Sequence, residues 1–518
     1  MNLRSIFIAG VVAGTISTFS VAAHDGPAEE AIANPASVGV IKFENSGAEN
    51  AQDAFQRGVA LLHNFEYARA ADEFRKAQAV DPDFAMAYWG EAMTVNHPVW
   101  MEQDREAARA ALEKLGSSPK KRAMKAGTPR ERGYLNAVEI LYGDGAKEER
   151  DFLYEAAMAK LHADYPEDED AAAFHALSVL GTAHEGRDFA TYMRAAATLE
   201  EFFPENPDHP GVLHYLIHSY DDPVHAPLGL RAARRYGAVA PDAGHALHMT
   251  SHIFVALGMW DNVVAVNEQA LSVVNQQRAA RSEAPTFCGH YASWLVYGYL
   301  QERNYERARS YVDKCRLMAV EELKGRTPND PDPDNSRTGS YLYVRTMLAA
   351  ETGEWNRADD LPMENASDWD RFQSAYGALI GADHRGDRNA LAAASAELSR
   401  LAPILKARLD ETGDTSLARR AAIDVTRLQG EALVKIRGGE VEAGIALLKE
   451  AAATEASAPV EFGPPFVEKP SHELLGDELM KQKRYGEAAS AYRIAVSRTP
   501  GRTLAVEGLD RAVRAMKR

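Results

Sequence analysis

Two cysteines in 518 residues, Cys288 and Cys315, are too few for a disulfide framework or a thiolate cluster, and no CxxC pair occurs. Positive charge is also in short supply. Against 75 Asp and Glu stand 58 Lys and Arg, a formal charge of −17, which argues against nucleic acid or an anionic membrane as the main partner because both need a basic stripe. Beyond the first two dozen residues no apolar run is long enough to span a bilayer. A Gly-rich phosphate loop, a Ser-His-Asp arrangement with its flanking elbow, and strand-like alternation are all missing. What remains is an acidic, helix-patterned chain of ordinary hydrophobic content, 46%.

Met1 to Ala23 reads as a cleavable leader: Arg4 supplies the positive start, Ile6 to Val21 a diluted apolar run, and Val21-Ala22-Ala23 the small residues for cutting. Cleavage after Ala23 places the mature chain in the periplasm or outside the cell, with no stable membrane insertion. No Cys follows the apolar run, which excludes a lipoprotein anchor. In that oxidising setting Cys288 and Cys315 are read either as one disulfide or as two buried thiols. Residues 24–50 are expected to form an extended arm. A mature start at His24 would offer copper an amine and an imidazole together, or is simply an accident of cleavage in a tail.

Histidine is concentrated. Asp208 to Trp260 holds seven of the chain's 16 histidines, and their places recur: His214 and His218 return as His248 and His252, with 248 − 214 = 252 − 218 = 34. Pro207 and Pro241 keep the same interval, His184 lies one interval before His218, and His63 and His97 repeat it near the N-terminus. The run GVALLHNFEYARAADEFRKAQAVDP carries Gly58, Leu61, Tyr67, Ala70, Phe74, Ala77 and Pro82. Near the other end HELLGDELMKQKRYGEAASAYRIAVSRTP carries Gly476, Leu479, Tyr485, Ala488, Tyr492, Ala495 and Pro500. Small residues where two helices approach, aromatics in the wedge between hairpins and a proline to stop the second helix make a 34-residue helical hairpin. At these positions the chain resembles the tetratricopeptide (TPR) repeat family, and most of it reads as an exported bacterial member.

The resemblance implies an all-α fold, a TPR-type α-solenoid in which antiparallel helix pairs wind into a right-handed superhelix. Its segments are read as N-terminal repeats over 51–164, His-rich repeats over 165–323 and a loop over 324–339. Helical repeats over 340–457, a Pro-rich crossing over 458–470, and a last repeat with its capping helix over 471–518 complete the chain. Trp89, Trp100 and Trp294 are read as packing residues, and His175, His209 and His225 as lying near turns.

At about 100° per residue, His214, His218 and Asp221 fall together to one side of the apolar stripe of Leu213, Leu216, Ile217 and Tyr220. His245, His248 and His252 do the same beside Leu247, Ser251 and Phe254. The family resemblance puts these positions, with His184 and His290, on the concave inner wall. Three readings follow. A transition metal, zinc or copper before others, is held by His214, His218, His248, His252, His184 and Asp221, with His245, His290 and Asp222 also lining the site. Alternatively a protein or peptide lies in a metal-free groove, although histidines stand where the family's usual carboxylate clamp has Lys, Arg and Asn. The third possibility is that His and Asp only tie helices together. HYLIH (His214 to His218) has metalloprotease spacing without the glutamate base. Binding is therefore expected rather than catalysis; hydrolysis or redox chemistry at the metal is the remaining enzymatic alternative.

Overall fold

The computed structural model describes residues 37–327, 336–355, 361–412, 414, 416–459 and 462–518. The leader-like segment 1–23, the His24 start and most of the 324–339 loop lie outside the described residues. Helices follow one another through the described residues. The first group is α1 (Gln52–His63), α2 (Tyr67–Val80), α3 (Ala85–Met93), α4 (Arg105–Leu115), α5 (Pro119–Ala123), α6 (Pro129–Leu141) and α7 (Lys147–Asp164). The central group is α8 (Glu169–Leu180), α9 (Phe189–Phe202), α10 (Pro210–Tyr220), α11 (Ala226–Val239), α12 (Gly244–Ala256), α13 (Trp260–Ala280), α14 (His290–Gln301) and α15 (Tyr305–Lys324). The last group is α16 (Arg337–Thr352), α17 (Asp368–Arg385), α18 (Arg388–Thr412), α19 (Leu417–Gly438), α20 (Val441–Ser457), α21 (Ser471–Lys481), α22 (Tyr485–Arg498) and α23 (Thr503–Met516). Nearly every helix packs against its successor, and alternate helices such as α8, α10 and α12 touch as well, which is the contact pattern of a TPR-type α-solenoid. Among the described residues the only ladder pairs Asn96–His97 with Glu102–Gln103 across a turn.

The hairpin chemistry is where the sequence puts it. A Cβ on Gly58 or Gly90 would strike the Phe74 ring at 2.8 and 2.3 Å, and one on Gly476 or Gly508 would strike Tyr492 at 2.7 and 2.3 Å. Each aromatic therefore fills a seat that only glycine leaves open. The turn into the second helix repeats too: Phe65, Arg303 and Lys483 all take the left-handed conformation two residues before Tyr67, Tyr305 and Tyr485. Cys288 and Cys315 are disulfide-bonded, with Cα atoms 4.9 Å apart. Closing that loop stabilises the fold by about 3–4 kcal/mol on the chain-entropy account. The 324–339 loop ends earlier than its composition suggests. Ser336 caps α16 by accepting from the Gly339 N–H, and Glu322 takes the N–H groups of Arg337 and Thr338.

In a simple solenoid each repeat meets only its neighbours; here both ends of the described residues return to the centre. Helix α1 packs on α10, Gly39 sits against Pro210, and Ser37 accepts from the Asp242 N–H at 2.9 Å. From the other end, Trp260 donates to the Gly501 carbonyl, and Thr503 bonds Gln301 twice. The Pro-rich crossing lies over the central repeats: Pro459 against Gly186, Gly463 against Trp294, and Pro465 accepting from Tyr343. Two apolar cores result, one from Val38 to Ala366 and one from Phe372 to Ala512.

Candidate metal centre

Helix α10 begins where His209 Nδ1 accepts the Val212 N–H and Pro210 fills the first position, and it stops at Tyr220 before Asp221-Asp222-Pro223. Helix α12 begins at Gly244, which lets it approach Val274 of α13, and ends at the Gly258 turn. A single apolar stripe should leave the opposite side of each helix wet. Instead every residue from Pro210 to Tyr220 is buried, and so is the run from Gly244 to Val255. The histidines do lie together off the stripes, but on a covered wall, not an open one: His214, His218, His248 and His252 are each 3% exposed or less. Phe65 from the first hairpin stands over them, its ring 4.3 Å from His214 and within 5.7 Å of His218 and His245. Phe462 of the Pro-rich crossing lies 5.1 Å from His252.

The imidazoles form two triads. His214, His218 and His245 make one, and His248, His252 and His290 the other; in each, one nitrogen per ring lies within 4.8 Å of the others. The triads adjoin, with His218 and His252 ring centres 6.2 Å apart and those of His245 and His248 6.3 Å apart.

Hydrogen bonding decides what each ring offers. In the second triad His248 Nδ1 donates to Asn267 Oδ1 at 2.7 Å, while the Asn267 amide donates to the Val263 carbonyl, which fixes its oxygen toward the ring. His252 Nδ1 donates to the Asp221 carboxylate at 2.5 Å. Both N–H groups are thus on Nδ1, and the two Nε2 lone pairs face each other 3.1 Å apart. Two neutral imidazoles repel in that arrangement. A shared proton or a cation relieves it, and two nitrogens on one tetrahedral ion at about 2.0 Å stand about 3.3 Å apart. The Asp221–His252 contact is the carboxylate–histidine support that metal ligands have. His290 completes the triad at the edge of a cavity of about 1150 Å³ bordered by Trp294, Tyr343, Tyr376, Phe462 and Glu468. Its ring is surrounded by protein yet open to water through that cavity.

A third group is the contrast. His63 Nε2 and His209 Nε2 both donate to Asp170 Oδ1, at 3.0 and 3.2 Å, while Tyr215 donates to His63 Nδ1 and the Val212 N–H to His209 Nδ1. All four ring nitrogens are satisfied, so this is a tie between α1, α8 and α10. Of the other residues singled out in the sequence, His184 bonds Asp151 at 2.9 Å and joins neither triad, and Asp222 is taken by Arg187 and His225. His97 is a turn residue stacked on Tyr67. Trp89 and Trp294 are core; Trp100 is 43% exposed and stands 6.0 Å from His245. Asn267 escaped the sequence reading because nothing in its surroundings marks it; its signal is spatial, one turn of α13 set beside α12.

Burial, reinforced by the neighbouring imidazoles, holds His214, His218, His245 and His248 well below the ordinary histidine pKa, and His290 is pushed down to about 3. These rings stay neutral when folded and gain protons when unfolded, so stability is complete above about pH 6.5 and falls as the pH drops below it. Each fully buried ring contributes about 1.4 kcal/mol per pH unit. Burial raises Glu66, Glu351, Glu455 and Glu468, the last to about 8, which opposes the trend; Glu468 offsets one histidine across this window. Chelator-treated protein should therefore lose denaturant resistance between pH 7 and pH 5.5, measured by equilibrium unfolding. A flat profile would show that the rings are not held neutral.

No protein-family model matches the chain, and no curated protein matches it in sequence. Among solved structures, yeast Tom70 aligns over 90% of this chain and 96% of its own at 14% identity and a TM-score of 0.35. The human IFIT1 dimer with PPP-AAAA aligns over 92% and 97% at 13% and 0.38. The P58(IPK) TPR domain aligns over 90% and 98% at 13% and 0.20. At these scores no ligand or partner is carried across. No helix among the described residues is long and apolar enough to cross a membrane.

Proposed function

We propose that this chain is an exported TPR solenoid that binds a transition metal ion, zinc or copper, through His248, His252 and His290. The observation that carries this reading is the pair of opposed Nε2 lone pairs on His248 and His252, each fixed by an Nδ1–H bond on the far side of its ring. Three imidazoles with the fourth direction toward the cavity suit an ion that keeps an exchangeable position, and Asp221 supplies a compensating charge one bond away. Export is supported by the leader-like first 23 residues and by the disulfide, which belongs to an oxidising compartment.

Protein isolated without a polyhistidine tag should carry stoichiometric metal by elemental analysis. After stripping, it should melt higher when zinc or copper is restored, because a ligand bound only by the folded state stabilises it. Asp221→Asn, which keeps the shape and removes the charge, should weaken binding about 10–100-fold. Absence of metal together with no thermal response would sink the proposal.

The cavity favours a second reading, in which a peptide or protein segment binds there without metal. Its lining joins Trp294, Tyr343, Phe462 and Phe466 to Arg371 and Arg408, both paired to Asp368, an aromatic surface of mixed charge suited to an extended chain. Binding that ignores chelators would identify it. Turnover of a hydrolysable substrate, lost on chelation, would identify an enzyme instead.

A further inference from the structure

We infer that His214, His218 and His245 form a second metal site, closed and three-coordinate, that takes a cuprous ion. The inference goes beyond the site at His248 and shares no ligand with it, so either can fail alone.

All three rings present a buried Nε2 with no hydrogen-bond partner. One unpaired buried nitrogen is a cost that a fold tolerates; three gathered at one point ask for a common guest. Proximity alone is not the argument, since His63, Asp170 and His209 lie equally close and satisfy one another. The tautomer of His214 is set as a ligand needs it: its Nδ1 donates to the His63 carbonyl at 2.6 Å, which leaves the lone pair on Nε2. His245 Nδ1 lies 3.4 Å from the Tyr291 hydroxyl, and with Nδ1 as the donor its Nε2 lone pair is free for the same point. A trigonal ion at about 2.0 Å from each nitrogen needs them about 3.5 Å apart. Nitrogens already within 4.8 Å reach that by small side-chain rotations.

The surroundings choose the ion. Phe65 and Trp100 roof the triad, Tyr236 stacks on His214 at 5.4 Å, and all three ligands are buried. Among the described residues no carboxylate bonds any of the three rings: Glu66 accepts the His245 backbone N–H and pairs with Arg69. Arg187, the nearest cation to His218, is neutralised by Asp222. The cost of burying an ion rises with the square of its charge, so a dry pocket of three neutral imidazoles favours a monovalent guest. Zinc completes three histidines with a water in its fourth place, and the neighbours of this triad are aromatic rings, which hold a water poorly. Imidazole is a copper ligand, and cuprous ion is content with three. The His248 triad differs on each point, having a carboxylate behind it and a cavity before it.

The test is anaerobic titration of stripped, untagged protein with Cu(I) and separately with Zn(II). Bound metal is counted after gel filtration, in the unaltered chain and in His218→Gln, His245→Gln and His252→Gln, with circular dichroism to confirm folding. Two equivalents of Cu(I) are expected in the unaltered chain and one in each variant. One equivalent of zinc is expected, kept in His218→Gln and His245→Gln and lost in His252→Gln. A single cuprous equivalent that survives in both His218→Gln and His245→Gln overturns the second site and leaves the first. A single equivalent lost only in those two variants upholds the second site and removes the first. Two zinc equivalents overturn the cuprous assignment, and no metal of either kind overturns both sites.

Discussion

A chain carrying His218→Gln and His252→Gln together is expected to fold and to bind no transition metal. Each substitution removes one ligand from a different triad, and two remaining imidazoles do not hold an ion against water and buffer. Glutamine nearly fills the imidazole volume and brings its own hydrogen-bonding groups, so the wall under Phe65 and Phe462 is not left hollow. Far-ultraviolet dichroism and a cooperative melt should match those of the stripped, unaltered protein, while elemental analysis falls to background. The comparison with stripped protein matters, because bound metal itself raises the melting temperature. Metal retained at full stoichiometry in the double variant would show that the triads are not where the ion sits.

The second large effect is on stability. Arg502 is 2% exposed and meets Glu473 and Glu351, each at 2.8 Å, where α23, α21, α16 and the Tyr297 ring converge. Burial tends to raise both carboxyls, but only Glu351 ends above its ordinary pKa. Glu473 has Lys469 as a second cation at 2.7 Å, and the two cations together bring it down to about 2. Glu473 therefore holds the charge that Arg502 needs. Arg502→Met strands Glu351, leaves Glu473 with Lys469 alone, and should cost about 3–5 kcal/mol in denaturant unfolding. Adding Glu351→Leu should recover part of that loss, since an apolar pair in place of a buried ion pair is often neutral. An Arg502→Met protein of unchanged stability would mean that this junction does not bind the last repeat to the middle of the chain.

The hairpins were legible in the sequence because their signals are local. Gly58 against Phe74 and Gly476 against Tyr492 need only the 34-residue pattern to be found, and the structure seats them as the pattern requires. The same interval located four of the six clustered histidines, and the register carried over from the TPR family added His245 and His290. It failed at His184, which shares the interval but bonds Asp151, because a period fixes a place in a repeat and not the partner opposite. It failed likewise for the open inner wall. Phe65 comes from about 150 residues before His214 in the chain, and Phe462 from about 210 after His252; no local pattern announces that they will meet the same rings.

The sequence by itself determined an all-α chain of repeating hairpins and a line of imidazoles along the matching side of successive helices, since both follow from spacing and helical geometry. Only the tertiary structure decided that the line divides into two triads, that Asp221 and Asn267 fix the tautomers of one, and that a third cluster is already satisfied by its own hydrogen bonds. The physical reason is that bringing the first hairpin and the Pro-rich crossing onto the middle of the solenoid removes water from that wall. An unpaired nitrogen is unremarkable in water and costly without it.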